Sequence, residues 1–70
     1  MRHHYVKLRT HDASPKTMYV NTDKIKMLEV ADDRNISTRV FFEGSDRMDY
    51  LHVKGSPIQV LDLIRRAEEE

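Results

Sequence analysis

The chain has 70 residues, 12 Lys and Arg against 12 Asp and Glu, and no cysteine. This leaves room for one domain with a core near the lower limit of self-sufficiency, excludes disulfide staples and thiolate metal sites, and weakens any function that depends on general attraction to phosphates. No apolar run approaches a membrane span, and the M-R-H-H-Y-V start has no signal-peptide core, so a cytoplasmic protein without membrane contact is expected.

From Tyr5 to Thr10, Val6 and Leu8 alternate with Tyr5, Lys7 and Arg9, which is the period of a half-buried strand. His11 to Lys16 is a turn by composition, because Asp12 and Ser14 can bond their own backbone and Pro15 fixes φ. Met18 and Val20 alternate with Tyr19 in the next stretch, so a β-hairpin is expected. Asn21-Thr22-Asp23-Lys24 breaks the pattern and predicts a single turn that tucks Ile25 under the sheet. Leu28 and Val30, opposed by Met27 and Glu29, predict a third strand. Thr38, Val40 and Phe42, opposed by Arg39 and Phe41, predict a fourth. Leu51 and Val53, opposed by Met48, Tyr50 and His52, predict a fifth.

The last element is a helix, and its start is written in detail. Gly55 allows a sharp turn, Ser56 is a good N-cap, Pro57 suits the first helical position and Gln59 completes an S-x-x-Q capping box. Val60, Leu61, Ile64 and Ala67 fall at the spacing of one helical face, and Asp62 with Arg66 makes an i,i+4 pair in the favourable order. The fold class expected is α+β: an antiparallel sheet of about five strands, open or strongly curled, with one C-terminal helix on one face. One domain spans residues 1–70, with 1–4 and 68–70 frayed. Replacing Leu61 or Phe42 by Ala should cost about 2–5 kcal/mol.

Chemistry is sparse. The four histidines, His3, His4, His11 and His52, have no spacing that places two imidazoles on one side of an element, and they read as surface residues rather than metal ligands. Asp33-x-Asn35-x-Ser37 opens like a calcium loop, but Thr38 stands where Gly is needed and Gly44 where Glu is needed. With no nucleophile elbow and no Gly-rich loop before a helix, no enzyme, cofactor or small-molecule substrate is expected.

The informative feature is the face opposite the helix. Parity places Tyr5, Lys7, Arg9, Tyr19, Met27, Arg39, Phe41, Met48, Tyr50 and His52 there. Aromatics with Arg and Met are the composition of interface cores, although aromatics are also ordinary cross-strand partners. The candidate partner-binding residues are Tyr5, Arg9, Tyr19, Arg39, Phe41, Tyr50 and His52. The expected partner is a protein or a second copy of the chain. Single-stranded nucleic acid stacked on the same rings is the alternative, with Glu29, Glu43 and the zero net charge weighing against it.

These residues give the chain a skeleton that resembles the small flagellar and swarming-motility proteins of the FlbD type, and phage proteins of similar size. The resemblance is carried by V-K-L-R at 6–9, Y-V-N at 19–21, Ile25, T-R-V-F-F-E-G at 38–44, and the V-x-x-S-x-x-x-V-x-x-x-I ending at Val53, Ser56, Val60 and Ile64. It implies a bacterial or phage origin and a regulatory, non-enzymatic role, with no catalytic residues to carry over. Gly55 departs from the acidic residue that precedes the cap in that family.

Overall fold

The computed structural model describes residues 4–44, 46 and 48–69. Strands β1 (Tyr5–Arg9) and β2 (Thr17–Asn21) form an antiparallel hairpin, with Val6 opposite Val20 and Leu8 opposite Met18. A 3-10 turn (Thr22–Lys24) leads into β3 (Ile25–Val30), β4 (Ser37–Phe42) and β5 (Tyr50–Lys54), and helix α1 (Pro57–Glu69) closes the chain. The class is α+β with antiparallel pairing throughout.

The expectation of one five-stranded sheet, open or strongly curled, needs correction. There are two sheets, β1-β2 and β3-β4-β5. The reason lies in the turn between them. Asn21 caps it by accepting from the Asp23 N–H at 2.9 Å, and the Ile25 N–H returns to the Thr22 carbonyl. The chain therefore leaves β2 turning away rather than folding back alongside it. Among the described residues the backbone pairing between the two sheets is one antiparallel bridge, Thr10 to Val53, extended by a 2.8 Å bond from the His11 N–H to the His52 carbonyl.

Val6, Leu8, Val20, Val40, Val53, Val60 and Ile64 form the core, with Ile25, Leu28, Phe42, Leu51 and Ala67 packed half-buried around it. Alternation thus sends the expected aliphatic residues inward. Two of them, Met18 and Val30, nonetheless remain exposed, because they sit on the edge strands β2 and β3. The buried Thr and Ser hydroxyls are bonded, as burial demands. The Thr38 hydroxyl donates to the Gly55 carbonyl at 2.7 Å, the Thr22 hydroxyl to the His4 carbonyl at 3.3 Å, and the Ser37 hydroxyl to the Asp32 carboxylate.

The helix start has the expected form. Gln59 Oε1 accepts from the Ser56 N–H at 2.8 Å, while Ser56 Oγ accepts from the Gln59 N–H at 3.3 Å. Gly55 has φ +105°, a conformation that favours glycine. Asp62 and Arg66 pair at 3.1 Å. The buried stripe is narrower than expected: Val60 and Ile64 are buried and Ala67 is half-buried, but Leu61 is 42% exposed. It lies about 100° round the helix from Val60, beyond the width the small sheets can cover. Of the residues expected to fray, 1–3 and 70 lie outside the described residues. His4 shares a 2.9 Å hydrogen bond between its Nδ1 and the Ala67 carbonyl, and the helix runs through Glu69.

Core position rather than residue type should therefore decide helix substitutions. Ile64→Ala is expected to cost about 2–5 kcal/mol in urea unfolding, while Leu61→Ala costs about 1 kcal/mol or less. Equal losses would show that Leu61 is part of the core after all.

Candidate functional site

Dividing the strands between two sheets also divides the aromatic face. On β1-β2 the outward rows are Tyr5 beside Asn21, Lys7 beside Tyr19 and Arg9 beside Thr17. On β3-β4-β5 they are Met27, Phe41 and Tyr50 in one row and Glu29, Arg39 and His52 in the next. The seven candidate residues thus fall into two groups: Tyr5, Arg9 and Tyr19 on the first sheet, and Arg39, Phe41, Tyr50 and His52 on the second.

The second group is tightly organised. Arg39 Nη1 donates to Glu29 Oε1 at 2.6 Å, and its guanidinium carbon lies 5.6 Å from the centre of the Tyr50 ring. Glu29 first, and Tyr50 second, raise the Arg39 pKa above that of an ordinary guanidinium. Tyr50 is tilted against Phe41 with ring centres 5.5 Å apart, the offset geometry aromatic pairs prefer. Phe41 is only 8% exposed although parity sends it outward, because its cross-strand neighbours Met27 and Tyr50 flank it. It is the floor of the site rather than a displayed ring. Glu29, Arg39, Phe41, Met48 and Tyr50 line a shallow hollow of about 440 Å³. Met48, expected on the strand, stands instead in the turn before β5 and is highly exposed. The hollow offers apolar contact beside a surface pair of opposite charges.

Sequence reasoning missed the pairing of His11 with His52. Their ring centres are 4.9 Å apart, brought together by the bridge between the sheets. His52 Nε2 is buried and has no hydrogen-bond partner. Burial first, then the nearby charges of His11 and Arg39, pull the His52 pKa below its ordinary value, outweighing Asp32 and Asp12. No short-range signal could have shown this, because strand order in space is not strand order in sequence. Among the described residues no group of three or more His, Cys, Asp or Glu side chains is placed to hold a metal ion.

Asp32 organises the loop between β3 and β4. It accepts from the backbone N–H of Arg34 at 2.9 Å and of Ile36 at 3.2 Å, and from the Ser37 hydroxyl. The Ser37 bond and these N–H groups lower its pKa. The turn is completed by Asn35 in the left-handed region at φ +57°. It carries the chain into β4 in the register that places Arg39 opposite Glu29.

The His52 environment sets the sign of a pH effect. Its folded pKa lies below the ordinary 6.5, so the unfolded chain binds a proton first as pH falls. Stability is then full above about pH 6.5 and declines as the pH drops toward the folded value. The urea midpoint of the native chain is expected to fall more between about pH 7.5 and 5.5 than that of His52→Phe. Parallel pH profiles for the two proteins would show that His52 is not the group responsible.

Among the described residues no helix is long and apolar enough to cross a membrane. No protein-family model, curated protein or solved structure matches the chain, so the FlbD-type likeness rests on the residues quoted for it alone.

Proposed function

We propose that the protein is a non-enzymatic interaction module that docks a protein surface, a second copy of itself foremost, on the outer face of β3-β4-β5. The observation that carries this reading is the hollow floored by Phe41 and walled by Tyr50, Met48 and the Arg39–Glu29 pair. Its volume of about 440 Å³ suits one large apolar side chain with the backbone that bears it, and Tyr, Met and Arg are the residues enriched where interfaces are energetically dense. The Arg39–Glu29 pair stands at the surface, where such pairs contribute little to folding, so the two charges are free to exchange partners. Across a two-fold axis each Arg39 can face the Glu29 of the other copy, which satisfies both charges in an isologous contact. The same pairing weighs against nucleic acid on this face, since Arg39 is already neutralised by Glu29.

The test is solution mass by light scattering combined with Tyr50→Ser and Met27→Glu, two exposed positions outside the main core cluster. A dimer that either variant converts to monomer, with unchanged circular dichroism, is the expected result. A chain that stays monomeric up to about 1 mM, where even an association of about 4 kcal/mol would register, rules out the second copy as occupant.

A further inference from the structure

The outer surface of the first sheet has a different character, and the Phe41 hollow does not extend onto it. Past the Thr10–Val53 bridge the two sheets part. Arg9 and Lys54, one residue beyond the bridge on each strand, line the hollow that opens there together with Lys7 and Thr17, and Leu8 and the helical Leu63 complete its lining. Its volume is about 340 Å³. Three cations and no carboxylate line it, and among the described residues none of the three is in an ion pair. In a chain of zero net charge this is a local segregation of positive charge. Beside it stand two of the most exposed rings of the molecule. Tyr19, 68% exposed, is the cross-strand partner of Lys7, and Tyr5, 58% exposed, precedes Lys7 by two on the same face of β1.

We propose that this surface of β1-β2 binds single-stranded nucleic acid, with phosphates held by Lys7, Arg9 and Lys54 and bases stacked on Tyr19 and Tyr5. The chemistry discriminates among occupants. A free phosphate or an acidic peptide would use the cations but has no call on two exposed rings in line with them. A duplex would offer phosphates while keeping its base faces stacked inside. A single strand presents both at once, and alternating cations and rings along a sheet are how its backbone and bases are engaged without sequence preference. The site is independent of the Phe41 hollow, so either can fail without the other.

The experiment is fluorescence anisotropy of a labelled oligothymidine with the full chain. Binding at about 50 mM salt is expected to weaken roughly fifteenfold by about 200 mM, the log–log slope of about −2 that three neutralised phosphates on a single strand produce. Tyr19→Ala is expected to weaken binding about tenfold at constant salt, the loss expected when one stacked base is released. Lys7→Gln with Arg9→Gln should reduce the salt slope to about −0.7. Arg39→Ala, on the other sheet, should leave binding unchanged. The proposal is overturned by absence of binding at low salt, by a duplex of the same sequence binding as tightly as the single strand, or by a Tyr19→Ala protein that retains full affinity. All four substituted side chains project outward from strands, and circular dichroism is the control that the variants compared are folded.

Discussion

The fold depends on how the chain turns at Gly55. The Gly55 N–H donates to the Ile36 carbonyl at 2.8 Å, and its own carbonyl accepts from the buried hydroxyl of Thr38 at 2.7 Å. Both partners belong to the start of β4 and the residue before it, so the exit from β5 is fixed against the neighbouring strand. The next residue, Ser56, opens the reciprocal cap with Gln59. Strand, turn and helix are thus joined without a free residue between them, and Val60 and Ile64 arrive over Val40 and Val53 as a consequence. A side chain at Gly55 would force a left-handed conformation that costs most residues about 1–2 kcal/mol. It would also bring a Cβ to 3.4 Å from Gln59 Oε1, the atom that closes the cap.

Much of this was legible in the sequence because it is local. The S-x-x-Q box, the alternation of Val6 and Leu8, and the break at Asn21-Thr22-Asp23-Lys24 each depend on residues within a few positions of one another. All three appear in the structure as read. What could not be read is how strands choose neighbours. Nothing in the residues of β1 states that the chain just past it bridges β5 at Thr10, and the shortness of that pairing decides whether there is one sheet or two.

The candidate surface shows the same division. Parity assigned Tyr5, Tyr19, Arg39, Phe41, Tyr50 and His52 to the side away from the helix, and the register agrees for each. Parity says nothing about what lies beside a side chain. Phe41 is covered by its own neighbours, Arg39 is engaged by Glu29, and His52 is drawn against His11. A surface that looked continuous in the sequence is therefore two surfaces of unlike chemistry. One holds a neutral ion pair among rings and thioethers, and the other holds uncompensated cations among tyrosines.

The bond between the imidazole of His4 and the carbonyl of Ala67 brings the two extremities of the described chain to one place. His4 is also held to the first hairpin, since its carbonyl accepts from the Thr22 N–H at 2.9 Å, so one residue ties the helix end to the start of β1 and to the turn after β2.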